Sequence, residues 1–119
     1  MKPFPPAEEL IFLVGQELSA VILNPYDVHL VLWDKTSITI EHHLRYQDAD
    51  GCVVEHDPQS EKNPVTVHRL IGHKIIRLDV TDLSLGLVFD NGEVVTIASR
   101  LGPLESGQIN LPDGNLIVF

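Results

Sequence analysis

The feature that most constrains the fold of this chain is an internal repeat. Residues 13–40, LVGQELSAVILNPYDVHLVLWDKTSITI, align without a gap on residues 70–97, LIGHKIIRLDVTDLSLGLVFDNGEVVTI. Most apolar positions match in type, and the identical positions are Leu13/Leu70, Gly15/Gly72, Leu30/Leu87, Val31/Val88, Thr39/Thr96 and Ile40/Ile97. Because self-similarity of this kind is typical of duplicated architectures, we expect two similar halves.

Each copy has the periodicity of antiparallel strands. In residues 28–32, VHLVL, aliphatic side chains recur at every second position, as expected of a strand with one buried face. Turn-forming residues, NPYD at 24–27 and DNG at 90–92, separate the strands, and Gly92 can take the positive φ of a tight hairpin. Each copy is therefore predicted to be a three-stranded antiparallel meander.

The segments that flank the two copies also correspond. A proline-led stretch, residues 5–14 in one half and 63–71 in the other, precedes each matched glycine and favours a short helix. The second stretch, with two valines and a threonine, is also compatible with an extended segment. Asp50-Gly51 and Asp113-Gly114 mark a further hairpin after each meander. Each half then reads as a helix followed by five strands.

These patterns predict an all-β fold with one or two short helices. We expect an internally duplicated, pseudo-twofold antiparallel β-sandwich or flattened barrel of about ten strands. Residues 1–119 should form a single domain built from two similar halves, residues 5–57 and 63–119, joined by a short polar linker. Neither half can bury both faces of its own sheet, so the halves should pack on each other or interleave. The C-terminal residues 116–119, LIVF, are expected in the core.

Composition restricts the classes of function. The net charge of −9 argues against direct nucleic-acid binding, which depends on cationic side chains, and it suits a basic protein partner. No apolar run approaches the ~20 residues of a membrane span, and the N-terminus lacks the pattern of a signal peptide. With a single cysteine, Cys52, no intrachain disulfide can form, so we expect a cytoplasmic protein. The apolar neighbours of Cys52 favour a partly buried, inert thiol.

The stretch TIEHHLRY, residues 39–46, is the strongest candidate for a metal site. On a single strand, Glu41 and His43 would share one face and His42 would point the other way, so a metal or small ligand would be held by Glu41 and His43. A third ligand would have to come from elsewhere, such as His29 or His56. The second copy has Ala-Ser-Arg at the equivalent positions, which favours ordinary surface variation, and we predict no metal and no cofactor.

A second candidate, Asp48-Ala49-Asp50-Gly51, has the alternating carboxylates of part of a calcium loop. The residue that would be the first ligand of such a loop is Tyr46, which cannot bind the ion as a carboxylate does. Strand patterns on both sides therefore favour a plain hairpin turn. Nucleophile-elbow, phosphate-binding and dinucleotide-binding motifs are absent from the sequence, so we expect a protein without catalytic residues.

The lone tryptophan provides the candidate protein-binding site. Trp33 would lie on the face of its strand opposite Leu30 and Leu32, together with His29 and Val31. Its equivalent in the second copy is Asp90, which indicates a position exposed to solvent in at least one half. Tryptophan is enriched at binding hot spots, although a second buried layer would account for it equally well.

The turn and strand motifs resemble a known group of proteins. The sequence FDNGEVVTI at 89–97 and the closing PDGNLIVF at 112–119, with ITIE at 38–41, resemble a family of small, uncharacterised bacterial all-β proteins with duplicated Gly, strand, Asp-Gly, strand halves. The resemblance implies this fold from residue 13 onward and implies no activity. Some small proteins of this kind look like immunity or accessory factors.

The sequence thus favours an uncharacterised, non-catalytic protein-binding domain, such as an acidic immunity or antagonist factor for a basic partner. The alternative is a metal- or small-ligand-binding β domain that uses Glu41 and His43. A homodimer, formed through an exposed sheet edge or through the Trp33 face, is compatible with either hypothesis.

Overall fold

The computed structural model describes residues 3–57, 67–99 and 106–119, and within these ranges it contains ten strands and short helical segments. The strands are β1 (Leu18–Leu23), β2 (Val28–Leu32), β3 (Ser37–Ile40), β4 (His43–Gln47), β5 (Val53–His56), β6 (Ile75–Thr81), β7 (Ser84–Phe89), β8 (Val94–Ala98), β9 (Gly107–Asn110) and β10 (Leu116–Val118). The helical segments are α1 (Ala7–Leu10) and the 3-10 helices Ile11–Leu13 and Val67–Leu70. The predicted all-β class and the short helix before each matched glycine are confirmed.

The strands form two antiparallel sheets of five, and the two halves of the sequence are exchanged between them. The first sheet has the order β1-β2-β3-β9-β10, and the second has the order β5-β4-β8-β7-β6. Each sheet therefore combines the meander of one half with the final hairpin of the other. The fold is sandwich-like, as predicted, and the halves interleave.

The exchange has a local cause in the first half. Strand β3 ends at Ile40 in the first sheet, and β4 begins at His43 in the second, so Glu41 and His42 form the two-residue crossover between the sheets. The amide of Glu41 still donates to the carbonyl of Ser106, just before β9 (2.9 Å). The expectation that Glu41, His42 and His43 lie on a single strand was wrong, because apolar alternation does not reveal where a chain passes from one sheet to the other.

The two matched glycines hold the halves together at the centre of the pseudo-symmetry. Gly15 and Gly72 have φ of 90° and 92°, a region that favours glycine. The amide of Gly15 donates to the carbonyl of Ile75 (2.7 Å), and the amide of Gly72 donates to that of Leu18 (2.8 Å). Between these two bonds lies an antiparallel bridge between Glu17 and Lys74. The repeated glycines are therefore explained by a reciprocal main-chain junction between the copies.

The core lies between the sheets and is built from the inward-facing side of each strand. In β2 the burial alternates, with Val28, Leu30 and Leu32 buried and the residues between them half-buried. The largest fully buried side chains are Phe89, Phe119, Leu10, Leu13, Leu18, Leu30, Leu32, Ile38, Ile40, Leu44, Leu70 and Ile75. Each such side chain contributes on the order of 1.5–3 kcal/mol through removal of apolar surface from water.

The N-terminal segment and the C-terminal strand meet in this core. Phe4 stacks on Phe119 with ring centroids 4.5 Å apart, and the amide of Phe4 donates to the carbonyl of Asp82 in the turn between β6 and β7 (2.9 Å). Phe119 is fully buried and Ile117 packs against the core, as predicted, but the prediction was wrong for Leu116, which is 52 % exposed on the edge strand β10. No helix among the described residues is long and apolar enough to cross a membrane.

Of two expectations for the hairpin between β4 and β5, one is confirmed and one is wrong. Asp48-Ala49-Asp50-Gly51 forms a plain turn, in which one carboxylate oxygen of Asp48 accepts from the amides of Asp50 (3.0 Å) and Cys52 (2.9 Å). The expectation that Cys52 is partly buried was wrong, since its side chain is exposed. Its apolar neighbours Val53 and Val54 are themselves exposed on the edge strand β5 and form no buried environment for the thiol.

Candidate protein-binding site

Trp33 is the most exposed large hydrophobic residue that the structure describes. Its side chain is 74 % exposed, in the turn that follows β2. Its position is fixed by the backbone, because its amide donates to the carbonyl of Glu17 (2.9 Å) and Leu32 pairs with Leu18 in β1. An anchored main chain with an exposed indole is an arrangement suited to binding, since little ordering of the backbone is then required.

A shallow cleft of about 360 Å³ lies against this tryptophan. It is lined by Trp33 with Gly15, Gln16 and Glu17 from the first half, and by Lys74 from the second. The cleft therefore sits at the junction where the two halves exchange main-chain hydrogen bonds. We refer to it as the Trp33 cleft.

The turn beside the Trp33 cleft is stiffened by one carboxylate. Asp34 accepts from the side-chain amide of Gln16 through one oxygen (2.9 Å) and from the amide of Thr36 through the other (2.8 Å). Lys35, the next residue in the turn, has φ of 76°, where the equivalent residue of the second half is Gly92 with φ of 85°. Glu17 and Lys74 are the charged residues of the cleft lining, and Asp34 and Lys35 follow Trp33 in the turn.

The equivalent position in the second half has a different chemistry. Asp90, which corresponds to Trp33, accepts a hydrogen bond from Nδ1 of His73 (2.7 Å) and lies 3.3 Å from the amide of Lys74. The hydrogen bond with His73 lowers the pKa of the Asp90 carboxyl below its ordinary value. Sequence reasoning missed this His–Asp pair, although its signal was available in the repeat, where His73 replaces Gln16 at the matched position.

His29 and Val31, predicted to share a patch with Trp33, lie on the outer face of the first sheet. Both are half-buried, and neither lines the Trp33 cleft. Nε2 of His29 lies 2.9 Å from a carboxylate oxygen of Asp27, and Nδ1 lies 3.0 Å from the hydroxyl of Thr39. Both ring nitrogens of His29 thus contact oxygen atoms on the outer face of the sheet. Of the three predicted residues, Trp33 alone borders the cleft.

The crossover separates the candidate metal ligands Glu41 and His43 into different structural contexts. Glu41 lies in the two-residue connection between sheets, whereas His43 begins β4 and has its Nε2 3.6 Å from a carboxylate oxygen of Glu55 on β5. His56, a suggested third ligand, is buried at the end of β5. Within residues 3–57, 67–99 and 106–119, no group of three or more His, Cys, Asp or Glu side chains is placed to hold a metal ion.

Comparison with protein-family models, with curated proteins and with solved structures gave no match to this chain.

Proposed function

We propose that this chain is a non-catalytic protein-binding domain that uses the Trp33 cleft to dock a basic partner. The observation that carries the proposal is the 74 % exposure of Trp33 on a backbone fixed by hydrogen bonds. Tryptophan has the largest apolar surface of any side chain and is strongly enriched at interface hot spots, so such exposure in an isolated domain favours a covered state in a complex.

The net charge supports a basic partner. The whole chain carries a net charge of −9, and Glu17 lines the cleft beside Trp33. Opposite charge on the partner would accelerate association and would make it sensitive to salt. An antagonist of a basic protein, as the sequence suggests, requires an apolar anchor and a net acidic surface, and it requires no catalytic group.

The test is affinity capture from the native host at several ionic strengths, followed by calorimetry with the captured protein. We expect Trp33→Ala to weaken binding by about 2 kcal/mol or more, roughly 30-fold, as hot-spot truncations do. Tyr26→Ala is the matched control, because Tyr26 is an aromatic residue of similar exposure, 68 %, that lies outside the cleft. Failure to capture a partner at any ionic strength, or equal binding by the Trp33 variant, refutes the proposal.

Lys74 provides a test of the partner's charge. It places one positive charge in a cleft whose other charged lining residue is Glu17, so a basic partner should bind Lys74→Gln more tightly than the wild type, with a faster association rate at low salt. The control is Lys35→Gln, a lysine in the turn after β2 that does not line the cleft. Weaker binding by Lys74→Gln would show that the partner presents an acidic group there.

A further inference from the structure

A second surface, separate from the Trp33 cleft, lies beside the edge strand β10. A groove of about 780 Å³ runs between the N-terminal segment, with Pro5, Pro6 and Glu9, and the strand residues Leu116, Ile117 and Val118. Successive side chains of a strand point to opposite faces of its sheet, so three consecutive residues can border one space only at the strand's edge. The groove therefore follows the edge of the first sheet that β10 forms.

The hydrogen-bond pattern shows which main-chain groups face this groove. Gly107 and Phe119 exchange main-chain hydrogen bonds across β9 and β10 (3.3 and 3.1 Å). Bonded and non-bonded pairs alternate in antiparallel strands, so Ile117 is also bonded to β9, and Leu116 and Val118 direct their N–H and C=O groups away from it. In the described part of the chain these groups have no main-chain partner, since β10 pairs with β9 alone.

The duplication provides a comparison strand at the other sheet. Aligning the hairpin turns Asp50-Gly51 and Asp113-Gly114 matches β5 to β10, with Glu55 at the position of Val118. Glu55 is exposed and lies 3.6 Å from His43, so the edge of β5 carries a charge of the kind that prevents strand addition. β10 carries no charge at any of its three positions.

The two remaining edge strands differ from β10 in other ways. β6 carries Arg77 and Asp79, whose exposed side chains lie 3.4 Å apart. β1 has no charged residue, but both main-chain groups of its first residue, Leu18, are bonded to the loop at Gly72 and His73. β10 thus combines an uncharged edge, unpaired main-chain groups and a bordering groove.

We propose that this groove is a strand-addition site for an extended apolar segment of a partner protein that carries a lysine or arginine. Main-chain groups repeating every second residue match only an extended strand, which would pair with Leu116 and Val118 as the sixth strand of the sheet. Alternate apolar side chains of that segment would cover Leu116, which is 52 % exposed, and the proline ridge. Glu9, on the groove wall, is the group that selects a cationic residue.

The test uses a phage-displayed library of random seven-residue peptides selected on the full chain. We expect enriched peptides with apolar residues at alternate positions and a Lys or Arg at one end, and slower hydrogen exchange of the Leu116 and Val118 amides when such a peptide is bound. Methylation of alternate peptide nitrogens, on the edge that meets β10, should weaken binding at least about tenfold, whereas methylation of the other nitrogens should leave it unchanged.

Substitutions at the edge strand β10, at Glu9 and at Trp33 test the separate parts of the proposal. Leu116→Glu should weaken peptide binding at least about tenfold, and Val53→Glu, its counterpart on β5 with a similar exposure of 41 %, should leave it unchanged. Glu9→Gln should weaken lysine-bearing peptides about threefold and should not affect peptides in which glutamine replaces that lysine. Because the groove shares no residue with the Trp33 cleft, Trp33→Ala should bind the peptides normally, and failure of one proposal would leave the other standing.

Three results would overturn the inference. The first is a selection that yields no peptide sensitive to Leu116→Glu, and the second is equal binding by peptides methylated on either edge. The third is concentration-dependent dimerisation in light scattering that Leu116→Glu abolishes, because the occupant of the groove would then be β10 of a second copy.

Discussion

Among the glycines that the structure describes, Gly107, the first residue of β9, is the one at which an added methyl group should damage the fold most. A Cβ at Gly107 would overlap the carbonyl oxygen of Thr39 and would lie 2.5 Å from Cζ of Phe119. The Thr39 carbonyl belongs to the β3 backbone, and the Phe119 ring is fully buried against Phe4. Neither neighbour can move without loss of other contacts.

Two routes of relief are available to Gly107→Ala, and both are costly. Displacing the Phe119 ring would lose its stack on Phe4, about 0.5–1.5 kcal/mol, and part of the ~3–5 kcal/mol that a buried phenylalanine contributes. Displacing β9 would strain its four residue pairs with β3, where each hydrogen bond contributes about 1 kcal/mol. We therefore expect a loss of at least about 3 kcal/mol, a large part of the 5–15 kcal/mol of a typical domain.

The assay for Gly107→Ala is urea unfolding monitored by circular dichroism. A loss of 3 kcal/mol corresponds to a midpoint lower by roughly 1–3 M. Gly86→Ala is the matched control, because a Cβ there would meet the Cβ and carbonyl oxygen of Asp79 at 3.2 Å, and we expect it to cost less than about 1 kcal/mol. Two results would refute the packing assigned to β9. One is a Gly107→Ala variant whose free energy of unfolding lies within about 0.5 kcal/mol of the wild-type value, and the other is a Gly86→Ala variant that is less stable than Gly107→Ala.

Three further predictions concern the turns that the two halves share. Lys35→Gly should raise the free energy of unfolding by about 0.5–1 kcal/mol, because Lys35 has φ of 76° at a position where the other half has glycine. Thermal unfolding is the measurement, and Gly92→Ala, the reverse change at the equivalent position, should be destabilised. Thr36→Val should raise the free energy of unfolding, measured by chemical denaturation, by about 1 kcal/mol, since the buried Thr36 hydroxyl bonds to no described residue. Thr36→Ser, which keeps the hydroxyl, should not raise it. The hydrogen bond from His73 should stabilise the fold above the unfolded pKa of Asp90, 3.8, and this stabilisation should be lost as pH falls through the lower folded pKa of Asp90. The difference in unfolding midpoint between wild type and Asp90→Asn should therefore shrink only below about pH 4. A difference that stays constant down to about pH 2 would contradict this.

Local sequence patterns were sufficient to predict the strands and turns but not the partners of the strands. Apolar alternation identifies the buried face of β2, and Gly15 and Gly72 mark the junction between the copies. The exchange of hairpins depends on Glu41 and His42, two polar residues that continue a strand pattern while the chain passes to the other sheet. Such a crossover has no distinct signature, because strand periodicity reports which face a side chain occupies and not which strand lies beside it.

The two proposed surfaces differ in how far the sequence predicts them. The pairing of Trp33 with Asp90 in the repeat indicated an exposed position, since a position that accepts a carboxylate is seldom buried, but a second buried layer was equally consistent with the sequence. The groove beside β10 does not follow from any local pattern. It exists because Phe4 stacks on Phe119, near opposite ends of the chain, and thereby places the proline-rich segment along the edge of the sheet.

The duplication also separates residues that the fold requires from residues free to acquire a function. Both halves need the glycine at the junction and the aliphatic positions that fill the core, and these residues match between the copies. Trp33 is equivalent in the repeat to Asp90, and Val118 is equivalent to Glu55. These pairs occupy exposed or edge positions of the same framework. In each pair the second residue forms a polar contact on the protein's own surface, with His73 or with His43, while the first presents apolar surface. Because the core framework is shared by both halves, these apolar replacements are the positions on which the two proposed docking surfaces rest.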